Sequence, residues 1–373
     1  MEEMLLPWEL IIEILLRLPV KSLIHFKTVC KSWLTLISDP HFASSHFELA
    51  AACTERLVFV SLALSLPSVP EFRTIDFNAH LLDDSASPTF KNMFYRPRPY
   101  DDIEFLGSCR GFLLLELNGI FCVWNPSTGA YKFVHPSPVV TGRRKFFAFR
   151  GFGYDPSTDD YLVVQVYHNK LSGDYATLVD YFSIKTNSWK EIGATPLNYR
   201  QCFSYRNSTA GCFLNGAIHW LAVCYDASIH VIAAFDLTER SLSHIPLPLN
   251  FEHHDFNPSF LRILGGSLNL CSLGRDSLEI WMMKEYKVKS SWTKTVVMPI
   301  DALPTGLFFP ICYTKSGDIV GTNAGARLTK CDVNGVLLEH RFYRTGSSGS
   351  KVAVYKESLL SLPCDTKQAG EDD

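Results

Sequence analysis

The hydrophobic positions of this chain change their period near residue 55. Before that point they follow helical spacing. Leu10, Ile11, Ile14, Leu15 and Leu18 fall at steps of one, three and four, which lines one face of a helix. Pro7 suits the first turn of that helix, where its missing N–H costs nothing, and Pro19 ends it because the residue before a proline resists the α region. Leu23, Phe26, Val29 and Cys30 predict a second helix over Lys21 to Cys30. Trp33, Leu34 and Ile37 predict a short third one closed by Asp39-Pro40, and His41 to Ala52 continues as a further helix. A unit of about 40 residues is at the lower limit for an independent core. Its helices cannot bury both faces of residues such as Leu15 and Trp33, so either they dock on the rest of the chain or they carry a partner.

Beyond residue 55 the pattern becomes strand-like, first at Leu57-Val58-Phe59-Val60. Prolines at 67, 70, 88, 97 and 99 mark loops and edge strands. From about Gly107 onward a four-strand unit recurs: it opens with a glycine and gives an apolar strand, then a second strand ending in an aromatic or apolar residue, a polar turn and a fourth strand. Matching turns begin at Asn125, Lys185, Asp236, Lys284 and Asp332, a period of about 50 residues that marks propeller blades. Asn125-Pro-Ser-Thr-Gly and Asp332-Val-Asn-Gly are hairpin turns by their chemistry. One blade cannot bury both its faces, so neighbours must stack. The expectation is a mainly β protein with an N-terminal α module: three helices, then a β-propeller of about six blades, which the family resemblance given below makes kelch-like. Leu57–Val60 would add a strand to the last blade and close the ring. Two stacked sheets in a sandwich are the alternative. The expected divisions are a helical module at 1–50, a connecting segment with the first strands at 51–106, the repeated sheets at 107–365 and a polar tail at 366–373. No long flexible linker separates helices from sheets, so the two parts would be joined rigidly.

Specific residues resemble known families. Leu6-Pro7, the run Leu16 to Leu23 and Val29-Cys30-Lys31-Ser32-Trp33 look like the F-box motif of plant F-box proteins. Asn125-Pro-Ser-Thr-Gly, Gly151-Phe-Gly-Tyr-Asp-Pro, Asn215-Gly-Ala-Ile-His-Trp and Tyr355-Lys-Glu-Ser-Leu look like their F-box-associated domain, the group that includes F-box/kelch-repeat and S-locus F-box proteins. Strict kelch repeats are not matched, since only Gly265-Gly266 supplies their double glycine. The resemblance implies a module that binds the Skp adaptor of a cullin-based ubiquitin ligase. By position, the implied adaptor contacts are Leu6, Pro7, Ile11, Ile14, Leu15, Leu18, Pro19, Val20, Leu23, Val29, Cys30 and Trp33. Some of these must instead form the module's own core, and the sequence does not divide them.

Composition narrows the chemistry. A net charge of −3, with no basic stripe, gives no general attraction to nucleic acid or to an anionic membrane. Aromatics at 13% favour a β-rich body. The 11 cysteines contain no C-x-x-C pair, which argues against a zinc site or a disulfide framework. Free thiols fit the cytoplasm or nucleus, and neither a signal peptide nor a membrane helix is expected. No G-x-S-x-G elbow, phosphate loop or H-E-x-x-H helix occurs. His253-His254-Asp255 is the best metal candidate, but adjacent histidines in a strand or loop point apart. Cys202, Cys212 and Cys224 fit no zinc ribbon, and His219 reads as a packed histidine. No metal, cofactor or catalytic residue is therefore expected.

What remains is binding. Arg143, Arg144, Lys145 and Phe146 form a basic loop with an aromatic anchor, suited to an acidic or phosphorylated client. Tyr199, Arg200, Phe203, Tyr205 and Arg206 form a second candidate patch. The expected function is a non-catalytic substrate receptor that binds the Skp adaptor, and through it a cullin, while the β domain recruits a protein client. A Skp-binding scaffold outside a ligase is the alternative, and a capped propeller hydrolase a further one.

Overall fold

The computed structural model describes residues 6–50, 55–62, 70–78, 81, 84–86, 103–117, 119–135, 137, 145–171, 174–195, 198–201, 209–224, 229–249, 251, 259–302, 308–322, 327–342 and 351–363. Helices α1 (Trp8–Leu15), α2 (Val20–Phe26), α3 (Lys31–Ile37) and α4 (Pro40–Ala50) come first. Pro7 and Pro19 stand immediately before α1 and α2 with φ of −51° and −58°, so each presets the entry of its helix. Asp39 caps α4: its Oδ1 accepts the N–H groups of His41 and Phe42 at 2.8 and 3.0 Å.

Six antiparallel sheets follow. One holds β4 (Ile103–Cys109), β5 (Phe112–Leu117), β6 (Ile120–Trp124) and β7 (Tyr131–Val134). The next holds β8 (Lys145–Asp155), β9 (Asp160–Leu171), β10 (Asp174–Ser183) and β11 (Ser188–Ala194). The third has its first strand in two pieces, β12 (Tyr199–Gln201) and β13 (Cys212–Leu214), on opposite ends of β14 (Ala217–Cys224), with β15 (Ile229–Asp236) and β16 (Ser241–Pro246) outside them. Then come β17 (Ser259–Leu264), β18 (Ser267–Leu273), β19 (Ser277–Met283) and β20 (Trp292–Pro299), and β21 (Phe309–Tyr313), β22 (Ile319–Thr322), β23 (Arg327–Cys331) and β24 (Leu337–Phe342). The sixth sheet joins the two ends of the chain: β25 (Lys351–Lys356), β1 (Glu55–Leu62), β2 (Pro70–Ile75) and β3 (Asp84–Ala86). Around the ring β25, β4, β8, β13, β17, β21 and again β25 lie against one another. The result is a six-bladed propeller. Each turn read from the sequence, at 125, 185, 236, 284 and 332, joins the third strand of a blade to its fourth.

The ring closes through Leu57–Val60, as expected: β1 pairs with β25, the strand that follows β24, with Leu57 opposite Val354. It brings more than one strand to that sixth blade, since β2 and β3 join it in the same sheet. The reason lies in the two faces of β1. Val58 and Val60 pack with Trp124 on one side, while Leu57 and Phe59 pack with Ile311 and Val320 on the other. Both faces are buried between neighbouring blades, so β1 must sit within a sheet and needs a pairing partner on each edge. Residue 107, taken as the start of the repeats, lies inside β4.

The inter-blade core explains two of the motifs. A Cβ at Gly151 would stand 2.5 Å from Ile218, and one at Gly153 would stand 2.5 Å from Leu237 and Phe213. Glycine at these places in β8 therefore lets the next blade lie directly on its backbone. The indole of Trp220 donates to the Arg150 carbonyl at 2.8 Å, which bonds the same two blades edge to edge. Asn215 and Gly216, with φ of 49° and 75°, form the two-residue hairpin between β13 and β14.

Candidate functional site

The four helices do two things. One face docks on the propeller. Leu15, Val20, Leu23, Ile37, Phe42 and Phe47 are buried in one cluster with Leu106 and Phe112 of the β4–β7 blade and with Leu359 and Leu360 beyond β25. Within the module, His46 is fully buried and its Nε2 is 2.8 Å from the Leu18 carbonyl. Since that oxygen can only accept, His46 carries its proton on Nε2. It ties α4 to the corner that follows α1.

The other face is left open. Leu6 is 57% exposed, Leu10 50%, Ile14 50%, Val29 61% and Leu34 46%, and Trp8 is 42% exposed on the side of α1 that also carries buried Leu15. Leu10 and Ile14 are one helical turn apart on α1 and so lie side by side. Fully burying a side chain of this size is worth about 1.5–3 kcal/mol, so a cluster left in water is a surface built for contact.

This arrangement divides the residues that the sequence left undivided. Leu6, Pro7, Ile14, Pro19, Val29 and Cys30 are exposed. Ile11, Leu18 and Trp33 are half-buried, with the Trp33 ring 5.3 Å from that of Phe26. Leu15, Val20 and Leu23 are buried, in the one core cluster that the helices share with the propeller. Trp8, Leu10 and Leu34 were not among the twelve implied contacts yet are open. Leu10 and Leu34 stand in the helical pattern itself, which was the available signal.

The propeller candidates fare unevenly. Arg143 and Arg144 lie outside the described residues. Lys145 and Phe146 open β8, paired with Asn169 and His168 of β9. In the second patch Tyr199 is not a surface anchor: it is fully buried in β12, with its hydroxyl 3.3 Å from His244 Nδ1. Arg200 is in β12, and Phe203, Tyr205 and Arg206 lie outside the described residues, as do Cys202 and His253-His254-Asp255. Among the described residues no cluster of His, Cys, Asp or Glu is placed to hold a metal ion.

The titratable groups inside the blades are structural links. His219 is buried, with Nδ1 3.0 Å from the Cys212 carbonyl and Nε2 2.8 Å from the Tyr286 hydroxyl. The carbonyl can only accept, so Nδ1 carries the proton. Burial lowers the pKa of this imidazole to about 4, with the nearby Lys287 acting in the same sense. Burial pushes the Cys271 thiol up to about 12 and raises that of Cys212, which disfavours thiolate chemistry at both. Asp155 is buried between blades. Burial alone would raise its pKa, but hydrogen bonds from Ser157, Arg240 and Thr158 outweigh that and hold it at about 2. Its Oδ2 is 2.7 Å from the Arg240 guanidinium.

A small helical docking module seated on a closed six-bladed propeller is the class of protein these features define. Residues 4–45 match the F-box domain, and residues 67–325 match the F-box associated beta propeller domain. The chain belongs to that F-box-associated β-propeller family. Curated relatives from Arabidopsis thaliana run along most of its length. It is 30% identical to F-box protein At5g49610 over 83% of this chain and 84% of that one. It is 27% identical to F-box protein CPR1, covering 83% and 77%, and 25% identical to F-box/kelch-repeat protein At3g23880, covering 79% of each.

Proposed function

We propose that this chain is the substrate-receptor subunit of a Skp–cullin–F-box ubiquitin ligase. F-box family proteins are in general adaptor subunits of ligases and not their catalytic parts. The observation that carries the reading is the set of exposed apolar residues Leu6, Leu10, Ile14, Val29 and Leu34, on a helical module whose buried residues share one core with the propeller. The strip takes the Skp adaptor, with Pro7, Ile11, Leu18, Pro19, Cys30 and Trp33 at its borders. The propeller takes a protein client, and the segment Arg143, Arg144, Lys145 and Phe146, whose last two residues open β8 and are not in a loop, is its proposed contact.

The mechanism is proximity. Holding client and ubiquitin donor on one assembly raises their effective concentration without bond chemistry by this chain. The cysteines described in the structure are free, which supports a reducing compartment, cytoplasm or nucleus. The test is co-purification of the full chain with a Skp adaptor and a cullin. A wild-type chain that leaves the adaptor unbound, beside an F-box control that binds it, sinks the proposal.

A further inference from the structure

One side chain reaches from the propeller to the helices. Arg110 sits in the turn between β4 and β5 at φ 47°, a conformation uncommon outside Gly, Asn and Asp. The turn aims its guanidinium at α4. The guanidinium carbon stands 5.1 Å from the ring centroid of Phe47 on α4 and 4.5 Å from that of Tyr154 on β8. One of its nitrogens is 3.0 Å from Glu48 Oε1, also on α4. The cation is therefore placed against an aromatic ring of the helical module and another of the second blade. Leu359, Leu360 and Leu362, beyond the strand that closes the ring, are buried in the same cluster as Phe42 and Phe47. Glu48 is on α4 and Arg110 in the β4–β5 turn, whereas the exposed apolar residues Leu6, Leu10, Ile14, Val29 and Leu34 belong to α1, α3 and the segments that precede them.

We propose that Arg110 is a positioning residue that holds the helical module at one orientation on the propeller. It contacts neither adaptor nor client. Through α4 it keeps the adaptor strip and the client-binding ring at a fixed separation, which is what a proximity mechanism needs, because effective concentration depends on how stiffly two sites are joined. The consequence for ubiquitin transfer rests on the receptor reading above. The latch itself does not.

The test uses the full chain with Arg110→Asn, which accepts the positive φ while removing the cation, and Glu48→Arg, which turns the attraction into repulsion at an exposed position. Hydrogen exchange at α4 amides, adaptor affinity and the map of ubiquitinated lysines on the chain itself in a reconstituted ligase are measured. The expected result in both variants is a fall of about tenfold in α4 protection. Adaptor affinity should stay within about twofold of wild type, and ubiquitin should spread to lysines that the wild type leaves unmodified. Unchanged α4 exchange in both variants overturns the latch. So does adaptor affinity that falls in step with protection, because Arg110 would then support the fold of the helices and not their orientation. If the wild type does not bind the adaptor, the receptor reading fails, and the exchange data alone still decide the latch.

Discussion

The side-chain amide of Asn125 donates to the carbonyl oxygens of Ser358 and Leu360 at 3.0 and 3.1 Å, joining the β6–β7 turn to a segment 235 positions away. The same side chain organises its own turn, since its Oδ1 accepts the N–H of Ser127 at 2.9 Å. Ser127 Oγ in turn accepts the N–H of Ser358 at 3.1 Å. The Asn-Pro-Ser-Thr-Gly turn is thus a clasp on the tail that follows the ring-closing strand, and that tail is part of the seat of the helices.

Asn125→Asp keeps the acceptor for Ser127 but loses both donors. It leaves two buried carbonyls unpaired and sets a carboxylate beside them. The expected loss is about 2–5 kcal/mol of unfolding free energy, measured by urea denaturation. A loss within the range of ordinary surface substitutions would mean that the clasp contributes nothing to closure.

The two faces of the helices predict opposite phenotypes. Ile14→Asp alters an exposed side chain, so stability should change by no more than about 0.5 kcal/mol while adaptor affinity falls by more than about 2 kcal/mol. Leu23→Ala empties a fully buried position of the core and should cost about 2–5 kcal/mol of stability. Calorimetric melting beside adaptor titration separates them. Ile14→Asp protein that binds as wild type does would show that the strip is not the contact.

His219 makes stability depend on mild acid. Its pKa is about 4 in the folded chain against an ordinary 6.5, so the unfolded state binds the proton more readily. The sign follows: stability is full above pH 6.5 and declines as the pH falls toward 4. His219→Gln should flatten the dependence of melting temperature on pH across that window, whatever it does to the melting temperature at pH 7. An unchanged slope would assign the acid sensitivity to other groups.

Asp155 acts at lower pH. Its pKa is depressed from 3.8 to about 2, so the stability it contributes is complete above 3.8 and is lost as the pH falls through 2. Arg240→Ala removes one of the hydrogen bonds that hold the carboxylate charged and lets its pKa rise. Acid unfolding should then begin at higher pH than in wild type, with a loss of about 1.5–3 kcal/mol at neutral pH. Fluorescence-monitored acid titration of both proteins reads the displacement.

Much of this architecture was legible locally. The helical period that starts at Leu10, the prolines before the helices and the five polar turns are properties of neighbouring residues, and the turns fall at their expected places, while α1 ends at Leu15, ahead of Pro19, and the second helix ends at Phe26 and not at Cys30. Tyr199 was misread as a surface anchor because an aromatic beside an arginine looks the same in a loop as in the strand β12. Trp8 was missed because nothing nearby in the sequence says that it stays open while Leu15, on the same side of that helix, is buried. Arg110 gave no signal: a charged residue before a glycine reads as a solvated turn, and only the fold brings Phe47 and Tyr154 to it.

By itself the sequence determined the kind of protein: a short run of capped amphipathic helices, then a repeating four-stranded unit with a hairpin turn at a fixed place in each copy. These follow from backbone preferences and side-chain period, which act over a few residues. The tertiary structure decided which strand closes the ring, how the helices sit and which of their apolar residues remain open. Those outcomes depend on partners such as Asn125 and Leu360, or Leu57 and Val354, that lie hundreds of positions apart. Pairing over such distances is selected by the burial of both faces at once, and no local stretch of the chain encodes it.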